Sequence, residues 1–310
     1  MAIHYQTAEF DAQQGSGAYR EPTVSVRYRV ADVDIEVRGP KKAIASLERA
    51  FSRLPRVPAD EGSAATIAIR HDANGWMIDE TLSDQPRILD ARAGGGGWLA
   101  MEVANSIISE VAARSKFLII HAAVLERDGE ALAVAGRGFA GKSTVATHLL
   151  SRGWRMLSDE YAFVEPISGR LVPYQKLMYL RSGVIPLLPS SFRRSVEQSP
   201  WYGAANDGLG FYAIDPALSY GEQAWASGAH LRAVALLEAE RAERPQVTEC
   251  DPWSLIPEFQ TLVWKSGDLL TGLAKLASAL RGVRVSLVRP GSPLETADAL
   301  ETWFDSARTP

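Results

Sequence analysis

The run Gly136-Arg137-Gly138-Phe139-Ala140-Gly141-Lys142-Ser143 satisfies the spacing G-x-x-x-x-G-K-[ST] in full. That spacing suits the binding of a polyphosphate. Backbone N–H groups of a tight loop converge on an anion, and the positive end of the following helix adds to them. Lys142 supplies a mobile cation for the β and γ phosphates, and the Ser143 hydroxyl can ligate Mg²⁺. Gly136, Arg137, Gly138, Phe139, Ala140, Gly141, Lys142, Ser143 and Thr144 are therefore the candidate nucleotide-binding residues, with ATP and Mg²⁺ as the expected ligands. The bland alternative is a chance glycine loop ahead of a helix. Against it, the loop follows the apolar run Leu132 to Ala135 and precedes a helical stretch, Thr144 to Leu150, which is the order the chemistry needs.

One helix later, Arg155 to Leu157 reads as a strand ending in Ser158-Asp159-Glu160. The two acids are then expected at the same edge of the sheet as the glycine loop, where open α/β sheets bind ligands. An acid there can hold Mg²⁺ or take a proton from an attacking hydroxyl, so Ser143, Asp159 and Glu160 are the candidate metal ligands. The competing reading makes the acids solvated turn residues or a helix cap. His121 closes a short apolar run, Phe117 to Ile120. A lone histidine in that place is commonly a satisfied structural residue. Charge on a moving phosphoryl group also wants cations, for which Arg137 and Arg181 are candidates, against the reading of solvated loop arginines.

These groups need a scaffold. Val24, Val26, Tyr28 and Val30, then Val33, Ile35 and Val37, alternate with mostly polar residues and predict a hairpin turning near Ala31-Asp32. Lys41 to Phe51 has helical spacing, and Thr66 to Arg70 and Trp76 to Ile78 flank Asn74-Gly75, a pair suited to a tight turn. The expectation is a flexible arm over 1–22, a small α+β domain over 23–113 and a catalytic domain over 114–310. Gly94 to Gly97 is read as a flexible connector before a helix, Trp98 to Ala113, and not as a second phosphate loop, because no strand precedes it and no lysine follows. Two more short strands are expected at Val124 to Arg127 and Leu132 to Ala135, around the turn Asp128-Gly129. Pro186 to Pro216 is long for a connection, and its Trp201, Tyr202, Phe211 and Tyr212 either cover the site and grip an acceptor or simply pack the segment down.

Taken together, the residues from His121 to Val164, His-Ala-Ala-Val-Leu, then Gly-Arg-Gly-Phe-Ala-Gly-Lys-Ser-Thr, then Arg-Gly-Trp-Arg-Met-Leu-Ser-Asp-Glu, resemble the catalytic core of HPr kinase/phosphorylase. The resemblance is greatest to the HPr-kinase-related bacterial serine kinases that carry a different N-terminal domain. It implies an α/β fold with a P-loop kinase core of the HPr kinase and phosphoenolpyruvate carboxykinase type. It also implies phosphorylation of a serine on a peptide or small protein. Carried over, Asp159 matches the general base, Glu160 the second acid of the pair, and His121 a histidine near the phosphates that helps position them. Lys142 completes the implied catalytic set. Outside this stretch, Gly169 to Ser182 and Leu231 to Glu240 agree in outline, and Val283 to Leu300 resembles a closing strand and helix. Two residues depart from the pattern. Gly138-Phe139 stands where the family has Ser-Gly, and Glu160 where it has Asp, an extra methylene that matters when alignment sets the rate.

Composition bounds the alternatives. With 310 residues, 46% of them hydrophobic, the chain can bury one large core and a smaller second one. A net charge of -4 with scattered Lys and Arg argues against nucleic acid as partner, and a single cysteine, Cys250, excludes an internal disulfide and a cysteine-held zinc. No secretory signal and no bilayer-length apolar run is read, so the expectation is a cytoplasmic protein without a membrane partner. Homo-oligomerisation is left open. Beside the kinase reading stand two others: a nucleotide-dependent switch or NTPase without an acceptor, and an inactive peptide-binding module on the same fold.

Overall fold

The alternation between Val24 and Val37 folds as an antiparallel hairpin, β1 (Thr23–Val30) and β2 (Val33–Pro40), whose turn places Ala31 at a φ of 53°. The molecule is described by a computed structural model over residues 22–58, 64–72, 75–82, 87–90, 96–199, 201–203, 210–263 and 269–306. The arm up to residue 21, Asn74, Gly94 and Gly95 lie outside the described residues. Helix α1 (Lys41–Ala50) buries Ala43, Ile44, Leu47 and Ala50, a three-to-four spacing that lays one face on the sheet. β3 (Ala65–Asp72) then pairs parallel to β2, and β4 (Gly75–Glu80) and β5 (Arg87–Asp90) extend the sheet antiparallel. Helix α2 (Gly96–Arg114) begins two residues earlier than the apolar pattern predicts, so Gly96 and Gly97 belong to its backbone and not to a connector.

The second part of the chain runs β6 (Leu118–Arg127), β7 (Glu130–Gly136), α3 (Lys142–Leu150), β8 (Arg155–Ser158), β9 (Tyr161–Val164), β10 (Arg170–Val172), β11 (Met178–Arg181), α4 (Ser190–Glu197), β12 (Trp201–Gly203) and β13 (Gly210–Ile214). It continues through α5 (Ala217–Tyr220), β14 (Ala229–Leu237), β15 (Gln246–Cys250), α6 (Ile256–Leu262), α7 (Leu269–Ala279), β16 (Arg284–Arg289) and α8 (Pro293–Asp305). The main sheet has the order β10-β9-β6-β7-β14-β16-β15, with β8 also on β6. Among the described strands of this sheet, β14 pairs parallel with β7 and β16 while the others pair antiparallel, so the fold is a mixed α/β arrangement with several sheets.

Two sequence expectations change here. The separate strands at Phe117 to Ile120 and Val124 to Arg127 form one ten-residue strand, so His121 lies in mid-strand and not at an end. Its neighbours on both sides are buried, and the strand continues through it because β6 pairs with β9 up to His121 and with β7 from Ala122. Pro186 to Pro216 is not a long loop either. It contains α4 and two strands that pair with β11 as a small sheet, β11-β13-β12. Phe211 is buried there, edge-on to Tyr179 with ring centroids 5.1 Å apart, and Tyr212 packs on the core around α3, so both pack the segment down.

The main sheet carries α6 and α7 on one face, through Ile120, Ala122 and Val124. Its other face is shared. Phe117 and Ile119 join the core of the N-terminal layer, together with Tyr161, Phe163 and Tyr174, while Ala123 and Leu125 join the core under α3 and α8. His121 sits at the seam between them. Arg53, just past α1, ties the two sides together, bonding Asp215 at 2.9 Å and Glu222 through two guanidinium nitrogens.

Candidate functional site

Strand register brings the predicted residues to one level. Ala122 pairs with Ala135, which sets His121 level with Gly136, and Gly136 pairs in turn with Leu237 of β14. On the other side of β6, the Ala122 N–H donates to the Glu160 carbonyl at 2.9 Å, and His121 pairs with Tyr161. Glycine-rich loop, histidine and acids thus meet across neighbouring strands.

The acids reach this position differently from the sequence expectation. β8 and β9 both pair with β6 and follow one line along it, with a register shift beside Val124 and Leu125. Asp159 and Glu160 form the kink between them, instead of the free end of a strand. The Ser158 hydroxyl accepts the N–H groups of Glu160 and Tyr161, which satisfies the backbone where the ladder lapses.

The loop departs from β7 at Gly136, whose φ is +150° and where a Cβ would come within 2.9 Å of the Leu237 carbonyl oxygen, so only glycine fits. The Ala140 N–H closes a turn onto the Arg137 carbonyl, and Phe139, its third residue, adopts a φ of 70°. Glycine takes that conformation freely; a side chain costs about 1 to 2 kcal/mol there. The Phe139 ring is 76% exposed and lies 4.0 Å from the Arg181 guanidinium carbon, a cation–π stack at the loop's rim. Gly141, left-handed at a φ of 98°, caps α3. Lys142 is buried, and its Nζ donates to the carbonyls of Gly136 and Arg137 at 3.0 and 3.2 Å.

The electrostatics separate the two acids. Burial pushes Asp159 up to about 6, against the pull of the Lys176 charge and of hydrogen bonding from the Ser143 side chain and the Tyr179 backbone. Its Oδ1 is buried without a hydrogen-bond partner. Burial also works to raise Glu160, but Lys176, through its charge and a contact of 2.9 Å, outweighs it and holds Glu160 below the usual carboxylate range. His121 is driven down to about 4, first by burial and then by Lys142, so the ring is neutral at pH 7. Lys142 is lowered by burial, with Asp159 and Glu160 opposing.

The structure therefore brings Gly136 to Ser143, His121, Asp159 and Glu160 together, with Arg181 at the rim. Lys176 belongs with them and was not foreseen. Its signal was an inward position in an alternating run: Tyr174, Lys176, Met178 and Leu180 are all buried, and only one is charged. Arg241 was also missed; its Nη2 would lie 3.6 Å from a Cβ on Gly141. Among the described residues no group of three or more His, Cys, Asp and Glu could hold a metal by itself. Mg²⁺ takes few protein ligands, one or two carboxylates beside substrate phosphates. The orphaned Asp159 oxygen, the Glu160 carboxylate and the Ser143 hydroxyl fit that requirement. No described helix is long and apolar enough to cross a membrane.

Comparison with known proteins adds two findings. Residues 87–171, less than half of the chain, match the family described as SynChlorMet cassette protein ScmC. That segment holds the loop, His121 and both acids. Among solved structures, the HPr(Ser) kinase/phosphatase from Coxiella burnetii is 15% identical, covers 61% of this chain and 95% of its own, and superposes with a TM-score of 0.31. At that score the likeness carries no argument. No curated protein matches the chain.

Proposed function

We propose that the chain is an ATP-dependent phosphotransferase with a P-loop core, which passes the γ-phosphoryl group to a hydroxyl. The acceptor implied by the local sequence resemblance is a serine of a peptide or small protein. One observation carries the reading: a buried carboxylate, Asp159, with an unpartnered oxygen and an affinity for protons near neutrality, stands beside Ser143 of the phosphate loop. General bases work best with a pKa near the operating pH, and few surface carboxylates have one.

In this reading the N–H groups of the loop and Lys142 hold the triphosphate. Lys142 exchanges the Gly136 and Arg137 carbonyls for phosphate oxygens. Asp159 takes the proton of the acceptor hydroxyl as its oxygen bonds to the γ phosphorus, and the bond from that phosphorus to the β,γ-bridging oxygen breaks to release ADP. Neutral His121 lends a hydrogen bond to the phosphates without adding charge. Mg²⁺, held by Ser143 and Glu160 with Asp159 nearby, would offset charge on the phosphates. Arg181, once it leaves Phe139, would do the same.

A second reading is kept by a specific observation. Phe139 strains the loop at its rim, which favours a module that binds nucleotide or peptide without transfer. Incubation with γ-labelled ATP, Mg²⁺ and candidate peptides separates the readings. Label on a peptide serine supports transfer. Free phosphate alone points to an NTPase, and binding without either product points to an inactive module.

A further inference from the structure

Residues 173–177 form a strap across the kink that carries the acids. The Tyr174 N–H donates to Leu157 of β8 at 3.0 Å, the Gln175 side-chain amide to the Ala226 carbonyl at 2.8 Å, and the Leu177 N–H to Ala50 at 3.0 Å. Ala50 is the last residue of α1, so the strap is anchored both to the main sheet and to the N-terminal layer. From its middle, Lys176 reaches inward with 1% of its side chain exposed. Its Nζ lies 2.9 Å from Glu160 Oε2 and 4.2 Å from the centroid of the Tyr179 ring.

Packing does not explain a cation here. Tyr174, Met178 and Leu180 occupy the equivalent inward positions, and an apolar residue at 176 would fill the space without the cost of burying an ammonium group. Nor does the cation serve as a surface ion pair, because only Glu160 of the two partners retains exposure, at 28%.

We propose that Lys176 is a positioning residue, which fixes the Glu160 carboxylate next to Asp159 for the cation that arrives with the nucleotide, and that the N-terminal layer holds it there through the strap. This rests on the phosphotransferase reading. Groups that hold a metal-binding carboxylate in place from behind set metal affinity about 10- to 100-fold. Phosphate binding by the loop backbone and Lys142 needs none of them.

The test is calorimetric titration of the full chain with the β,γ-imido analogue of ATP, with and without Mg²⁺. The wild type is expected to bind in both conditions and more tightly with Mg²⁺. Lys176→Met should keep the Mg²⁺-free affinity within about threefold and lose about 10- to 100-fold of the tightening by Mg²⁺. Lys176→Arg, which restores a cation, should recover most of it. Should Lys176→Met not fold, Lys176→Gln, which removes the charge and ends one bond short of the lysine nitrogen, is expected to show the same selective loss. Unchanged tightening by Mg²⁺ in a folded Met or Gln variant overturns the positioning role alone, as does an equal loss with and without Mg²⁺. A wild type that binds no nucleotide overturns the function reading, and this inference with it.

Discussion

The glycine-rich loop at Gly136 to Ser143 and the kink with the two acids lie side by side yet are built in opposite ways. The loop is local: its shape follows from Gly136 and Gly141 at positive φ, one turn and a helix start, within a few consecutive residues. The kink is assembled from afar. Asp159 and Glu160 acquire their properties from β6, from Ser143 and from a lysine on a strap bound to α1. The loop's backbone shape is set by its own φ angles, whereas the acids owe their distinct proton affinities to burial and to Lys176. On the proposed function, the loop should therefore govern binding without Mg²⁺, and the kink the chemistry and the added affinity that Mg²⁺ brings.

Two substitutions probe that division most strongly. Asp159→Asn keeps the shape and should leave ATP affinity within a few-fold while lowering transfer about 10²- to 10⁴-fold. Lys142→Ala should lose both binding and transfer, by about 10²-fold or more, because it removes the loop's own buried cation from the proposed phosphate site. Equilibrium binding beside single-turnover transfer distinguishes the two, and a large loss of ATP affinity in Asp159→Asn would break the division.

The next effect is on pH. Burial pushes Asp159 up to about 6 from its ordinary 3.8, so below that value it is protonated and the proposed base would be inactive. Transfer should rise about tenfold per pH unit up to about 6 and then level, a limb absent from the residual rate of Asp159→Asn. The sign for stability is the reverse. A carboxylate whose folded pKa is raised contributes stability that is fully present below pH 3.8 and is lost as pH rises through about 6. Urea unfolding of wild type and Asp159→Asn across that window should therefore diverge as pH rises, with the wild type losing ground.

Smaller effects belong to the loop. Gly136→Ala forces a Cβ against the Leu237 carbonyl and should cost about 1 to 3 kcal/mol in thermal or urea unfolding. Phe139→Gly relieves the positive φ but loosens the unfolded chain, so the net change should stay below about 1 kcal/mol. Its informative readout is ATP affinity, which should rise as Arg181 is freed from the ring. A fall in affinity would mean that the stack helps to build the loop.

The same contrast explains what the sequence disclosed. The hairpin at Val24 to Val37, helix α1, the loop and α3 all rest on short-range periodicity or on glycine chemistry, and each was legible. His121 was misplaced because a polar residue interrupts the apolar pattern of β6 without interrupting its ladder. Asp159 and Glu160 were found as residues, but the kink was not, since it depends on how β8 and β9 share β6 as a partner. Lys176 escaped because its buried position depends on Glu160 and on the bond from the neighbouring Leu177 N–H to Ala50, both set by the fold and not by nearby sequence. The small sheet around β13 escaped for a similar reason, since β11 pairs with it from across a helix.

The central claim is that loop and kink face one bound triphosphate. Its most direct test is the amide and side-chain NMR spectrum of the wild type on titration with ATP carrying Mn²⁺, whose paramagnetism broadens only nearby nuclei. The account predicts that resonances of Ser143, Asp159 and Glu160 broaden first while those of β1 and β2 stay sharp, and that Lys142→Ala abolishes the effect. Saturable binding of Mn²⁺ and ATP that leaves Asp159 and Glu160 sharp would contradict it.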